Sequence, residues 1–143
     1  MYNRTTRFVR ASASVILGAF SLAAVAATPA SPGTELYFIA PDDGATVSNP
    51  VTVKFGLRGM GVAPAGVVTE NTGHHHLLID VEDLNFSTPV PSDDQHIHFG
   101  GGQTETVINL TPGEHTLQLL LGDFAHIPHD PPVVSERITV TVE

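Results

Sequence analysis

Hydrophobic and polar residues alternate over several short stretches of the chain, and this pattern predicts β-strands. Val51, Val53 and Phe55, for example, alternate with polar or small neighbours, which gives a strand one buried face. The predicted strands span 35–40, 47–57, 77–81, 104–110, 115–121 and 137–143. We find no stretch with sustained helical periodicity after the N-terminal segment.

Turns rich in Pro and Gly separate these strands, as in the Pro112-Gly113 pair, which suits a type II turn. Short strands at this spacing predict an all-β, immunoglobulin-like antiparallel β-sandwich. We assign a single domain to residues 35–143 and a Pro/Ala/Ser/Gly linker to residues 28–34.

Residues 1–27 have the features of a signal peptide. Three arginines precede an apolar stretch rich in Ala, Leu and Val, which ends in small residues. We expect cleavage after Ala26 or Ala27 and a periplasmic or secreted product. The apolar stretch is too short and too rich in Ala and Ser for a typical membrane span of about 20 residues, so no membrane insertion is expected after its removal.

The charge of the predicted mature chain is strongly negative. Removing the leader leaves three Lys/Arg against 15 Asp/Glu, a net charge of −12 with histidines neutral. This balance argues against nucleic-acid binding, which needs clustered cations, and favours attraction of cations. The chain has no Cys, which excludes disulfides, thiolate ligands and a Cys nucleophile.

Seven of the eight histidines lie in three clusters, at 74–76, 96–98 and 126–129. The strands 104–110 and 115–121 are antiparallel, so the segment before the first and the segment after the second lie at the same end. If the strand 77–81 runs parallel to 104–110, its start lies there too. The three clusters should therefore converge on one rim, whereas His115 should lie about 20 Å away at the other end of its strand.

Converging imidazoles predict a transition-metal site. Residues two apart on a strand point to the same face, and neutral imidazole suits zinc, copper, nickel and iron. Without Cys, and with Met60 the only Met after the leader, Cu(II) or Zn(II) is favoured over Cu(I), and copper fits the compartment. Asp123 and Asp130 are placed to accept a second ring N–H or to ligate directly. The predicted ligands are His74, His76, His96, His98, His126 and His129.

Four motifs carry a resemblance to a known family: GHHHLLID from Gly73, HFGGGQT from His98, PGEHTLQL from Pro112 and HIPHDPPV from His126. In these the chain resembles a bacterial exported family known only as a domain of unknown function. The resemblance implies a small periplasmic or secreted β domain without an assigned activity. The His-x-His of HIHFGGG is also similar to that of copper–zinc superoxide dismutases, but the cysteine pair typical of that family is missing.

Three functions are compatible with this pattern. The first is an exported carrier or buffer for copper or zinc. The second is a metal-dependent enzyme, hydrolase or dismutase-like, which would keep an open coordination position. The third is a structural or interaction module without metal, in which the histidines form a hydrogen-bonded network.

Overall fold

A computed structural model describes residues 27–143, and these residues form β-strands and loops without any helix. The all-β class is thus confirmed, whereas the predicted leader, apart from Ala27, lies outside the described part. No helix able to cross a membrane occurs within residues 27–143. The nine strands are β1 (Glu35–Ala40), β2 (Ala45–Val47), β3 (Val51–Arg58), β4 (Gly61–Val62), β5 (Thr72–Ile79), β6 (His96–His98), β7 (Glu105–Ile108), β8 (Gly113–Gly122) and β9 (Ile138–Val142).

The strands form two sheets. The smaller sheet has the order β1-β3-β7 and is antiparallel throughout. The larger sheet has the order β2-β9-β8-β5-β4, and β6 also pairs with β5. Its outer pairs β2–β9 and β4–β5 are parallel, whereas the pairs β5–β6, β5–β8 and β8–β9 are antiparallel.

One hydrophobic core joins the two sheets. Val53 of β3, Leu77 of β5 and Leu119 of β8 are fully buried members of it. Burial of each such side chain stabilises the fold by about 1.5–3 kcal/mol. The alternation seen in the sequence therefore identifies the inward face of β3 and β8.

The outward face of β5 is buried as well, which the alternation did not predict. His74, His76 and Leu78 all have at most 1% of their surface exposed. Strand β5 begins at Thr72, five residues before the predicted start, so the histidines lie within the strand. Both faces of β5 are therefore covered, and its outward face carries imidazoles.

The segment 28–34 hydrogen-bonds to the loop that follows β8. The Thr28 hydroxyl donates to the Asp123 carboxylate over 2.7 Å, and the Thr28 carbonyl accepts the Asp130 N–H over 3.0 Å. Ala30 N–H donates in turn to the Asp130 carbonyl. The segment thus holds the loop that carries His126 and His129.

Candidate metal centre

Four histidines form a cluster at one end of the larger sheet. They are His74 and His76 of β5, His98 of β6 and His126 of the loop after β8, and one ligand atom from each lies within 4.8 Å of all the others. The alternation of β5 turns His74 and His76 to the same face. Antiparallel pairing places His98 opposite His76, with ring centroids 5.2 Å apart.

The pairing of β5 with β8 brings His126 to the cluster. His74 lies opposite Gly122, the last residue of β8, so the loop that follows begins beside His74. His74 Nε2 and His126 Nδ1 are 3.1 Å apart, which is hydrogen-bond distance. The ring centroids of His126 and His98 are 4.5 Å apart.

Asp123 shapes the turn that presents His126. Its carboxylate is 1% exposed, and its Oδ1 accepts the N–H groups of Ala125 and Ile127 over 2.8 and 3.0 Å. His126 has a positive φ of 65°, a conformation that is uncommon for residues other than glycine. Asp123 therefore supports the backbone that carries His126, while Asp130 is exposed and does not belong to the group of four.

Two glycines make room for the imidazoles. A Cβ on Gly122 would lie 2.7 Å from Cε1 of His76, and a Cβ on Gly100 would overlap the His98 ring. Neither position has a positive φ, so close approach of the ring, rather than backbone conformation, calls for glycine here.

Burial keeps the inner histidines neutral. Loss of hydration lowers the pKa of His74 to about 4, and the neighbouring His126 and His98 lower it further. Burial and the same kind of neighbours lower the pKa of His76 to about 3. The pKa of His98, an exposed residue, is also lowered, by partial loss of hydration and then by His126. At neutral pH these rings are in the unprotonated state that binds metal.

Several ring nitrogens in and near the cluster lack a hydrogen-bond partner. Nδ1 of His74 and Nδ1 of His76 are buried and reach no acceptor or donor within residues 27–143. Buried polar atoms of this kind are rare and call for an explanation such as a bound ion. The donor set therefore fits a metal better than a satisfied hydrogen-bond network.

A cleft opens onto the cluster from the solvent. It has a volume of about 190 Å³ and is lined by His76, His98, His126, Val90, Pro91 and Ser92. Val90 N–H donates to the His126 carbonyl over 2.8 Å, so the wall of the cleft is bonded to the loop that carries His126. His74 does not line the cleft and forms the inner side of the cluster.

Two of the six predicted ligands lie outside the group of four. His96 faces Leu78, two pairs further along β5 than the His76–His98 pair, and its Nδ1 lies 2.7 Å from Asp93 Oδ1. His129 is 1% exposed, and its Nδ1 donates to the Thr28 carbonyl over 3.2 Å. The structure thus brings together His74, His76, His98 and His126, and gives His96 and His129 other contacts.

The remaining two histidines are separate from the cluster. His75 points to the opposite face of β5, into the core, where its ring centroid is 5.2 Å from that of Phe55. Burial lowers the pKa of His75 to about 4, and the nearby Gln103 backbone partly opposes this shift. Neither nitrogen of the His75 ring forms a hydrogen bond in the described part of the chain. His115 lies near the other end of β8 and bonds to Asp80 over 2.7 Å.

Three contributions to the site were not predicted from the sequence. These are the space left by Gly122, the support of the His126 turn by Asp123, and the wall at Val90–Ser92. Only the first two have a sequence signal, because Gly122-Asp123 directly follows the leucine-rich strand and Asp commonly bonds to backbone N–H groups a few residues further on.

Comparison with known proteins identifies a family but no function. A family model described as "Domain of unknown function (DUF4399)" matches residues 53–143, a range that includes all four clustered histidines. No curated protein and no solved structure is significantly similar to the chain.

Proposed function

We propose a function for this chain, which belongs to the DUF4399 family: it is an exported metal-binding protein that carries or buffers copper or zinc. One observation carries the proposal. Four imidazoles from two strands and one loop have ligand atoms within 4.8 Å of one another. Such a set of neutral nitrogen donors suits first-row transition metals late in the series.

A hydrogen-bonded network of histidines is the competing interpretation, and the contacts argue against it. The 3.1 Å contact between His74 and His126 is the one hydrogen bond that joins two of the four rings in the described chain. The buried Nδ1 atoms of His74 and His76 have no partner there. A network selected for hydrogen bonding would satisfy these atoms.

The donor atoms narrow the choice of metal. The cluster contains imidazole nitrogens without sulfur, and carboxylates are not part of it. Cu(I) prefers thiolate and thioether ligands, while hard cations such as Mg²⁺ and Ca²⁺ prefer oxygen. Cu(II) and Zn(II) remain, and Cu(II) stands higher in the order of affinities for such sites.

The predicted leader supports export, and the acidic surface of the mature chain favours approach of cations. We further propose that the two sheets around one core form an immunoglobulin-like β-sandwich. Its support is the packing of β3 against β5 and β8 in one core. The metal would then lie on the outward face of one sheet, near one rim.

Metal analysis tests the proposal. Untagged protein, expressed without residues 1–27, is stripped with a chelator, reloaded with Cu²⁺ or Zn²⁺, desalted and measured by elemental mass spectrometry. We expect one ion per chain. A folded protein that retains neither ion would overturn the proposal and favour the structural or interaction module.

A metal-dependent enzyme is the second candidate, and the cleft is the observation that favours it. An ion held by the four histidines would be reached from solvent through the cleft, as catalytic metal sites require. Turnover of superoxide or of a hydrolysable ester by the loaded protein, compared with a His98→Ala variant, distinguishes an enzyme from a carrier.

A further inference from the structure

The four histidines surround the candidate metal position unevenly. His74 is 0% exposed and His76 is 1% exposed, both against the sheet. His98 is exposed and His126 is half-buried, and both line the cleft together with His76. The sheet thus closes one side of the metal position, while the cleft leaves the other side accessible.

The remaining walls of the cleft offer no strong metal ligand. Val90 and Pro91 contribute apolar side chains, and Ser92 contributes a hydroxyl. A neutral hydroxyl is a poor ligand for Cu(II) or Zn(II) compared with imidazole. A fifth protein ligand therefore does not approach from this side, although Ser92 can donate a hydrogen bond to a molecule in the cleft.

From this arrangement we propose that the metal centre binds one small inorganic anion, of the size of azide or peroxide, through the cleft. The proposal rests on the proposed function, because the ion is the group that the anion would bind. A divalent ion with four neutral imidazoles keeps its full positive charge, which attracts an anionic ligand. Ser92 lines the same cleft, and a hydrogen bond from its hydroxyl would stabilise that ligand.

The size of the cleft limits the ligand. A volume of about 190 Å³ accommodates a few water molecules, each occupying about 30 Å³ in the liquid. It is smaller than the pockets of about 300–1,000 Å³ that hold drug-sized molecules. A larger groove of about 560 Å³ lies next to it, and Val90 and Pro91 line both.

Val90 and Pro91 therefore act as a partition that keeps larger ligands from the metal. The hydrogen bond from Val90 N–H to the His126 carbonyl fixes this partition relative to one of the ligands. Shortening Val90 should connect the cleft with the groove. We infer that this residue determines the size of ligand that the centre accepts.

Titration of the Cu²⁺-loaded protein with sodium azide tests the proposal. We expect an azide-to-copper charge-transfer absorption that saturates at one azide per copper, with a changed electron paramagnetic resonance spectrum. Ser92→Ala should weaken azide binding about 3- to 10-fold, as expected for one lost hydrogen bond, with copper affinity unchanged. Ser87→Ala, outside the cleft, is the matched control and should leave both unchanged.

A shorter side chain at residue 90 should connect the cleft with the groove. The copper centre of Val90→Ala should therefore bind free imidazole at least 10-fold more tightly than that of the unchanged protein, at equal copper affinity.

The proposed metal function and the proposed anion binding fail in different ways. A protein that takes up no copper contradicts the metal function itself. A protein that holds copper but shows no spectral change with azide, or that loses its copper to azide, overturns the open position and leaves a closed metal site.

Discussion

His76 of β5 and His98 of β6 face each other across two antiparallel strands, with ring centroids 5.2 Å apart. Each also lies close to another clustered ring, His76 to His74 at 4.8 Å and His98 to His126 at 4.5 Å. The pair therefore connects the strand histidines with the loop histidine, in addition to the direct contact of His74 with His126. Loss of either member should remove one ligand and leave three histidines in the cluster.

His98→Ala should lower copper or zinc affinity at least about 100-fold, because it removes one of four ligands and the ring that packs against His126. Competition with a chromophoric chelator measures the change. His96→Ala is the matched control, two residues away on the same strand and bonded to Asp93 instead. Equal losses in the two variants would contradict the assignment of the cluster.

Gly100→Ala should weaken metal binding about 10-fold while the protein stays folded, because the new methyl group would displace the His98 ring. Gly101→Ala is the control, since its Cβ would meet only the flexible end of Gln103, at 3.1 Å. The same competition assay applies, with circular dichroism to check folding. Similar affinities in both variants would show that the position of His98 does not depend on Gly100.

The stability of the metal-free protein should fall as pH is lowered. His75 has a pKa of about 4 in the folded state, against 6.5 for the free side chain, so the unfolded state binds more protons between these values. The free energy of unfolding then rises with pH, and this residue accounts for a loss of about 2 kcal/mol between pH 8 and pH 5.

His75→Phe tests this effect without changing the metal ligands, because residue 75 packs against Phe55 in the core. Urea unfolding of the chelator-treated proteins at pH 8 and pH 5 should give a smaller pH dependence for the variant, by about 2 kcal/mol. The same dependence in both proteins would mean that His75 can be protonated without unfolding.

Asp123→Ala should destabilise the protein by about 1–3 kcal/mol, because buried N–H groups lose their acceptor. It should also lower metal affinity, since the turn that carries His126 depends on the bonds to Ala125 and Ile127. Chemical unfolding and chelator competition measure the two effects. Asp130→Ala is the control, and a comparable loss of affinity there would argue against a specific role for Asp123.

His115→Gln should change stability in the opposite pH direction and leave metal binding intact. The hydrogen bond with Asp80 raises the pKa of His115, so its stabilising effect is present below pH 6.5 and is lost as pH rises through the folded pKa. The variant should lose more stability at pH 5.5 than at pH 8.5 in urea unfolding. Reduced copper affinity in this variant would contradict its separation from the cluster.

The alternation of apolar residues predicted much of the scaffold. The first predicted strand, 35–40, coincides with β1, and the leucine positions of β8 are buried as the alternation indicated. The short strands β2, β4 and β6 were not predicted individually, because two or three residues carry no usable periodicity. The early start of β5 was missed since consecutive histidines look polar in sequence, whereas His75 is part of the core.

The sequence was less informative about which histidines meet. Antiparallel order predicts that the three segments share one end, but selecting His98 over His96 requires the register of β5 with β6. Selecting His126 over His129 requires the turn supported by Asp123 and the contact of His129 with Thr28. Register and turn geometry arise from tertiary pairing.

The 3.1 Å contact between His74 Nε2 and His126 Nδ1 has a consequence for how an ion loads. In a hydrogen bond between two neutral imidazoles, one ring donates its only N–H and the other uses its only lone pair. One lone pair is left on the two outer nitrogens together, so an ion held by both rings requires this hydrogen bond to break. Loading would therefore cost about 0.5–1.5 kcal/mol for the lost bond, and this cost is part of the metal affinity.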